Sequence, residues 1–276
     1  MKISIVTTCK SRLEDLKNTI GSWKSFCPDE IIVVDVSCPD GTRDWLTLTH
    51  PDVRCVSVSS PSFNLSHARN IGAASAVSEY LFFVDADIVL GEGLREWFLQ
   101  NLNEDHYYSR AQDTPFEGIH EQGTFLCSRA DFEKVIGYDE TFNGYGGEDH
   151  DIYFKLQRLG VRRGRVPKNY ISSIDHSDEK RTEYYSEKNK FKQSIINRSY
   201  AALKEKLLEI NPTLAELPEE TRKKIWMDVS AKIKPGFDNL EELSTTIKVT
   251  GRKWLPEPYY LELNNQISIT IKRRQK

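Results

Sequence analysis

The chain has 276 residues and a formal net charge of -3 at pH 7. A chain of this length buries a sizeable core, and the slightly acidic charge argues against a general nucleic-acid binder, which needs a basic surface. No apolar run approaches the roughly 20 residues of a membrane span. Because Met1 and Lys2 lead directly into a strand pattern and the five cysteines are scattered, we expect a cytoplasmic protein with reduced thiols.

The first 90 residues alternate short apolar runs with amphipathic segments. Strands are predicted over residues 3–6, 31–34, 53–58 and 80–84, with helices between them. The first helix is expected to begin with a capping box formed by Ser11 and Glu14. Continuous β-branched runs separated by helices indicate an α/β fold with a Rossmann-like, mostly parallel sheet and helices on both faces. Ligands of such sheets bind beyond the carboxyl ends of the strands.

The remainder of the chain has a more mixed pattern. Helices are predicted over residues 94–102, 131–135 and 148–159, and a strand over residues 123–127. Beyond about residue 178 the chain becomes helical and charged, and it closes with a β-rich stretch over residues 245–272. We therefore predict one domain over residues 1–178, with halves 1–90 and 91–178, followed by a mostly helical extension over residues 179–276.

Two carboxylates, Asp85 and Asp87, follow the fourth predicted strand. Residues two apart on an extended chain share a face, and a hard cation such as Mn²⁺ or Mg²⁺ binds one or two carboxylates together with phosphate oxygens and water. Such a cation offsets the charge that builds on a departing diphosphate. One alternative is an ordinary acidic turn. Another is a phosphatase of the haloacid dehalogenase type, which the stretch also resembles and in which the first Asp is a nucleophile.

A glycine-hinged acidic cluster, Gly146-Gly147-Glu148-Asp149, opens the helix predicted from residue 148. Glycines let the backbone approach a ligand closely, and carboxylates in a first helical turn interact favourably with the helix dipole. Acids at a helix start need no function. The dipole keeps Asp149 ionised but weakens it as a base, so any proton transfer to it must be concerted with attack.

The motifs resemble those of known glycosyltransferases. Residues 125–159 resemble the carboxyl-terminal catalytic segment of β-1,4-galactosyltransferases and chondroitin-type polymerases, through Gly137-Tyr138-Asp139-Glu140-Thr141-Phe142 and Tyr145-Gly146-Gly147-Glu148-Asp149-His150-Asp151. The nucleotide-binding half of the GT-A glycosyltransferase family is similar to residues 1–90, through Val6-Thr7-Thr8, Val33-Val34-Asp35 and Ala68-Arg69-Asn70. The resemblance covers roughly residues 3–178. It implies a metal-dependent enzyme, with an acceptor-binding catalytic half at 91–178, that moves a sugar from a UDP-sugar to a hydroxyl of a glycan or another acceptor.

The resemblance also implies a role for each matching residue. Thr8 and Asp35 would contact the uridine, Arg69 would lie near the diphosphate, Asp85 would face the ribose or the metal, and Asp87 would bind the metal. Asp149 matches the base that activates the acceptor hydroxyl, Glu148 and Tyr145 match residues around the acceptor and donor sugars, and His176 matches the histidine that completes the metal site. Imidazole suits Mn²⁺ better than Mg²⁺, although a lone histidine is more often structural.

Three positions depart from the pattern of the family. His150 and Tyr145 stand where the galactosyltransferases usually carry Asp and Trp, and Val36 stands where many relatives carry a second Asp. Positions 145 and 150 flank the acceptor in the family, so the resemblance does not identify the acceptor or the transferred sugar. Retaining relatives commonly carry Asn where this chain has Asp149, and by that analogy we expect inversion.

The extension leaves two further hypotheses. A non-catalytic sugar-nucleotide-binding or scaffold subunit would keep the fold and the site while the helical segment from Glu183 docks a protein partner. The basic run Lys272-Arg273-Arg274 predicts either a solvated tail or a peripheral contact with an anionic membrane.

Overall fold

A computed structural model describes residues 1–60, 62–112, 121–174, 182–236, 242–254 and 260–272. By its internal contacts the chain divides into two units. The first unit comprises Met1–Glu140 and Glu148–Lys188, and the second comprises Thr141–Gly147 and Asn189–Lys276. The glycine-rich segment Thr141–Gly147 therefore belongs with the carboxyl-terminal part of the chain.

The first unit alternates strands and helices. Its strands are β1 Ile3–Cys9, β2 Glu30–Asp35, β3 Arg54–Ser57, β4 Tyr80–Phe83, β5 Ile88–Leu90, β6 His106–Arg110, β7 Phe125–Ser128, β8 Arg162–Val166 and β9 Ile171–Ser173. Its helices are α1 Leu13–Ser25, α2 Thr42–Thr49, α3 Leu65–Ser75, α4 Leu94–Asn101, α5 Arg129–Lys134 and α6 Glu148–Arg158. The α6 helix begins at Glu148, directly after the paired glycines.

The main sheet has seven strands in the order β3-β2-β1-β4-β7-β6-β8. The β1–β2, β2–β3, β1–β4 and β6–β8 pairs are parallel, whereas β7 runs antiparallel to β4 and β6. This confirms the predicted mostly parallel sheet. Because β7 is antiparallel to β4, its first residue, Phe125, pairs with the last residue of β4, Phe83. The start of β7 therefore lies beside the end of β4.

Helices cover both faces of this sheet, as predicted. Ile5 on β1 belongs to one core cluster with Leu16 and Trp23 of α1. The neighbouring Val6 belongs to a second cluster with Ala73 of α3. Successive strand residues point to opposite faces, so the apolar runs of the sequence supply both clusters.

The predicted capping box at the start of α1 is wrong. The residue before the helix is Arg12, and no side chain caps it. Ser11 has a φ of 51°, its N–H donates to Cys38 Sγ at 3.2 Å, and its hydroxyl bonds the Tyr184 hydroxyl. Ser11 thus lies one residue too early to cap a helix that begins at Leu13, and its hydroxyl bonds Tyr184 instead.

The second unit contains two helices and a ribbon, in agreement with the predicted helical and β-rich extension. The helices are α7 Lys190–Ile210 and α8 Glu219–Gly236, and the antiparallel ribbon is β10 Glu242–Trp254 with β11 Tyr260–Lys272. Within the described residues, no helix combines the length and apolarity needed to cross a membrane.

Candidate active site

The predicted donor-site residues lie at the carboxyl ends of parallel strands. Thr8 is the penultimate residue of β1, Asp35 ends β2, and Asp85 follows β4 by two residues. Cys9 pairs with Asp35 and Val6 with Phe83, which brings the three ends to one edge of the sheet. Thr8 is half-buried, and Asp35 is buried and accepts the Cys38 N–H at 2.7 Å.

The buried guanidinium of Arg69 joins Asp85, predicted at the donor side, to Asp149, the predicted base. The Arg69 side chain is 3% exposed; its Nη2 lies 2.8 Å from Asp85 Oδ1 and its Nη1 lies 2.7 Å from Asp149 Oδ1. A third carboxylate oxygen, Glu148 Oε1, is 3.8 Å from Nη1. One cation therefore holds the end of β4 and the first turn of α6 together. Charge-assisted bonds in a buried setting are strong and directional.

The ring of Tyr138 packs against the guanidinium of Arg69. Its ring centroid lies 5.0 Å from Arg69 Cζ, a distance typical of a cation–π contact. Asn70 fixes the Tyr138 backbone from both sides: its Nδ2 donates to the Tyr138 carbonyl at 3.0 Å, and its Oδ1 accepts the Tyr138 N–H at 2.9 Å. Two adjacent residues of α3 thus have complementary roles: Arg69 supplies the cation, and Asn70 holds the backbone of Tyr138, whose ring contacts that cation.

Gly123 leaves the space that the ion pair needs. A Cβ at this position would lie 2.4 Å from Arg69 Nη2 and 2.7 Å from Asp85 Oδ2. Any larger residue would collide with the pair. The predicted strand over residues 123–127 begins only at Phe125, and residue 123 instead gives the carboxylate and guanidinium room to meet.

The acids at the start of α6 differ from exposed carboxylates. Burial raises the pKa of Glu148 to about 8, and the neighbouring Asp149 adds to this while Arg69 opposes it. Glu148 Oε2 is a buried atom with no hydrogen-bond partner in the described part of the chain. Burial also raises the pKa of Asp149, against the opposing effect of Arg69. The sequence predicted a base weakened by the helix dipole, but desolvation outweighs the dipole here.

Asp87 lies near the predicted metal site. It is half-buried, and its carbonyl accepts the Ile174 N–H at 2.8 Å. The pairing of Ile88 with Ser173 is consistent with this bond between neighbouring residues. The predicted histidine ligand, His176, lies outside the described residues. Asp85 and Asp87 offer hard oxygen donors, which fit Mn²⁺ or Mg²⁺.

Tyr145 and its neighbours are held from α7, within the second unit. Asn197, which is fully buried, donates to the Asn143 carbonyl at 3.2 Å and to the Tyr145 carbonyl at 3.3 Å. The Tyr145 N–H donates to Gln193 Oε1, and Lys190 Nζ lies 4.9 Å from the Tyr145 ring centroid. The predicted acceptor segment is therefore shaped by the extension.

The sequence interpretation missed three residues of this arrangement. Tyr138 was part of the recognised motif but had no role, and its aromatic type was the available signal. Gly123 carried no signal beyond being a glycine before a strand. Asn197 lies on a charged helix, where nothing in the pattern distinguishes a buried amide from a solvated one.

Comparison with known proteins supports the fold. A sequence profile described as the N-terminal domain of galactosyltransferase matches residues 111–178. Sequence comparison with curated proteins gives no match. S. aureus TarS 1-349 in complex with UDP-GlcNAc is 14% identical, with a TM-score of 0.58 over 87% of this chain and 76% of that chain. The mannosyltransferase PcManGT from Pyrobaculum calidifontis, in complex with GDP-Man and Mn²⁺, is 16% identical, with a TM-score of 0.54 over 84% and 75%.

These likenesses establish the architecture. The chain has the α/β fold of the GT-A glycosyltransferases, as predicted. The profile match includes the whole of residues 125–159, where the resemblance to galactosyltransferases was noted. The assignment of that segment to the carboxyl-terminal part of those enzymes stays a prediction.

Proposed function

We propose that this chain is a metal-dependent glycosyltransferase that moves a sugar from a UDP-sugar to a hydroxyl of a glycan or another acceptor. One observation carries the proposal: Asp85 at the end of β4 and Asp149 at the start of α6 meet on Arg69. The proposal is supported because the two acids lie beyond the carboxyl end of β4, and ligands of such sheets bind beyond the carboxyl ends of the strands. Each acid has a distinct task in group transfer.

The donor side is assigned to the strand ends. Thr8 and Asp35 bind the uridine, and Asp87, Asp85 and His176 hold Mn²⁺ or Mg²⁺. When bound, the cation offsets charge on the departing diphosphate. Support comes from the two structural neighbours, one in complex with UDP-GlcNAc and the other with GDP-Man and Mn²⁺.

Asp149 is the proposed base. Its Oδ1 accepts from Arg69 at 2.7 Å, so Oδ2 is the oxygen assigned to the acceptor hydroxyl. Burial raises the pKa of Asp149, which brings it nearer to the value that suits a general base at neutral pH. Proton transfer accompanies attack of the acceptor oxygen on the anomeric carbon, with inversion. Glu148 and Tyr145 contact the sugars.

We propose a further role for Arg69 besides the position near the diphosphate that the resemblance implies. Its observed partners are carboxylates, with the Nη atoms directed at Asp85 and Asp149. We therefore propose that Arg69 orients Asp149, the base, and Asp85, the acid at the donor side. A direct contact between Arg69 and the diphosphate stays a prediction. Docking of a protein or membrane partner by residues after Asp178 stays a prediction as well.

A thermal-shift titration with UDP, with and without Mn²⁺, tests this proposal. Ligand at about 100 times its dissociation constant adds ~2.7 kcal/mol of stability. We expect UDP to stabilise the protein only with Mn²⁺, and Asp87→Ala to abolish the effect, whereas Asp44→Ala on the exposed face of α2 preserves it. No UDP response with any metal would refute the proposal. Hydrolysis of simple phosphate esters would then support the phosphatase hypothesis.

A further inference from the structure

Two thiols face each other beside the proposed uridine site. Cys9 is the last residue of β1 and is fully buried, whereas Cys38 follows β2 and is half-buried. Their Sγ atoms are 4.0 Å apart. Neither residue has a role in sugar transfer.

A hydroxyl links the two sulfur atoms. Thr42 Oγ1 lies 3.1 Å from Cys38 Sγ, as the donor, and 3.2 Å from Cys9 Sγ. A hydroxyl carries one proton but has two acceptor lone pairs. When Thr42 donates to Cys38, the Thr42 oxygen and the Cys38 sulfur are the two acceptors within reach of the one S–H proton of Cys9, and the Cys38 sulfur accepts a hydrogen bond in either arrangement.

The Cys38 sulfur is a favourable site for negative charge. The Ser11 N–H donates to it at 3.2 Å, and it lies just before α2, at the positive end of a helix. The hydrogen bond from Cys9, followed by those from Thr42 and the backbone, lowers the pKa of Cys38 to about 5 against the opposing effect of burial. The bond to Cys38, followed by burial, raises the pKa of Cys9. The surroundings thus favour negative charge on Cys38 over negative charge on Cys9.

Backbone strain accompanies this arrangement. Ser11 has a φ of 51° and Ser37 has a φ of 46°, a region that residues other than glycine seldom adopt. Each flanks the thiol pair, and Ser11 in this conformation presents its N–H to Cys38. Strain of this kind costs of order 1–3 kcal/mol and clusters at functional positions.

We propose that Cys9 and Cys38 form a reversible oxidation site that reacts with hydrogen peroxide. The Cys38 thiolate attacks the peroxide O–O bond; the distal oxygen leaves, takes a proton and becomes water, and Cys38 becomes a sulfenic acid. The Cys9 thiol then attacks the Cys38 sulfur, a second water leaves, and a disulfide forms. Two thiols lose two electrons and two protons, and hydrogen peroxide is reduced to two waters.

Disulfide formation changes the neighbouring nucleotide site. The sulfur atoms must approach from 4.0 Å to about 2.0 Å, so the chain at Cys38 moves. Its N–H is the donor to Asp35 Oδ1 at 2.7 Å, and Asp35 is a proposed uridine contact. Oxidation therefore lowers the affinity for UDP. This consequence rests on the proposed function, whereas the chemistry of the pair does not.

Peptide mapping by mass spectrometry tests the chemistry on the intact protein. After treatment with hydrogen peroxide and blocking of the remaining thiols, we expect a peptide pair joined through Cys9 and Cys38 that dithiothreitol separates. Cys38→Ser should eliminate the pair, and Cys55→Ser, on β3, should preserve it. Sulfinic acid at Cys38 without a cross-link, or oxidation of exposed Cys27 alone, would overturn the proposal.

Two further measurements test the reactivity of Cys38 and the effect of the disulfide on UDP binding separately. Alkylation of Cys38 should be half-maximal near the pKa of about 5 and should shift to higher pH in Thr42→Val. An unchanged profile contradicts stabilisation of the Cys38 thiolate by the Thr42 hydroxyl. The cross-linked protein should bind UDP at least about tenfold more weakly, a change of 1.4 kcal/mol. Equal affinity of both forms overturns the coupling to the nucleotide site, whereas absence of UDP binding by the reduced protein contradicts the proposed function itself.

Discussion

The Arg69 guanidinium bonds the Asp149 carboxylate at 2.7 Å across 80 residues of sequence. The same side chain bonds Asp85, so one buried cation sets the positions of the proposed base and of an acid at the donor side. The geometry of the site therefore depends on a residue whose observed partners are the two carboxylates themselves. Asn70, the next residue on α3, secures the ring on which the cation rests.

Replacement of Arg69 should be costly. Arg69→Met leaves the partly buried carboxylates of Asp85 and Asp149 without their cation; breaking a fully buried ion pair by removing one partner costs about 3–5 kcal/mol, which is the upper bound here. We expect a loss of unfolding free energy up to this bound in urea denaturation. Arg43→Met, at an exposed position on α2, serves as the control. Equal stability of the two variants would contradict the proposed network.

Gly123 and Gly21 provide a matched pair of glycine substitutions. A Cβ at Gly123 would lie 2.4 Å from Arg69 Nη2, whereas a Cβ at Gly21 has nothing within 4 Å. Gly123→Ala should lower the melting temperature and weaken UDP binding. Gly21→Ala lies within α1 and should stabilise by about 0.5–1 kcal/mol. A Gly123→Ala variant as stable and active as the wild type would show that the space is not needed.

Glu148 should make the stability of the protein depend on pH. The pKa of Glu148 is raised from 4.5 to about 8, so between these values the folded state holds a proton that the unfolded state has released. The contribution of Glu148 to the free energy of unfolding is therefore most favourable at low pH. It is lost as the pH rises from 4.5 to about 8. Glu148→Gln should gain in melting temperature relative to the wild type, by about 2–4 °C or more, between pH 5 and 8.5.

Differential scanning calorimetry at several pH values checks this prediction. Glu133→Gln, at an exposed position on α5, should follow the wild type at every pH. A difference between Glu148→Gln and the wild type that does not change with pH would show that Glu148 has an ordinary titration.

Asn197 should act on the acceptor through the segment 141–147. Asn197→Ala leaves the Trp226 Nε1–H and the carbonyls of Asn143 and Tyr145 without their observed partner, at about 1–3 kcal/mol for each unsatisfied group. We expect a higher acceptor KM with an unchanged Kd for UDP, measured by steady-state kinetics and calorimetry. Arg198→Ala, at an exposed position on the same helix, is the control. Weakened UDP binding with normal acceptor kinetics would contradict this role.

Local patterns predicted the architecture because its elements depend on local signals. The apolar runs predicted β1 to β4 and β7 of the sheet, whereas β6 and β8 have polar sequences and were not predicted. The paired glycines before Glu148 marked the start of α6. The predicted capping box failed because Ser11 lies one residue too early to cap a helix that begins at Leu13, and its hydroxyl bonds Tyr184 instead. A capping motif in sequence does not reveal partners that are distant along the chain.

The side-chain contacts within the site could not be predicted from the sequence. The resemblance supplied Asp85 and Asp149 as separate residues, but the side chain that joins them approaches from α3. Likewise, the thiol pair of Cys9 and Cys38 depends on the pairing of β1 with β2. Contacts between side chains from different elements follow from packing, which periodicity does not encode.

Asp149→Asn tests the central claim most directly. Asn is close in size to Asp and keeps an oxygen for Arg69, but it cannot accept a proton in catalysis. With Mn²⁺ and a panel of UDP-sugars and acceptors, we expect the wild type to transfer sugar and release UDP. The variant should bind UDP with equal affinity while its transfer rate falls by about 10²-fold or more. Transfer by the variant at the wild-type rate would contradict the assignment of Asp149 as the base.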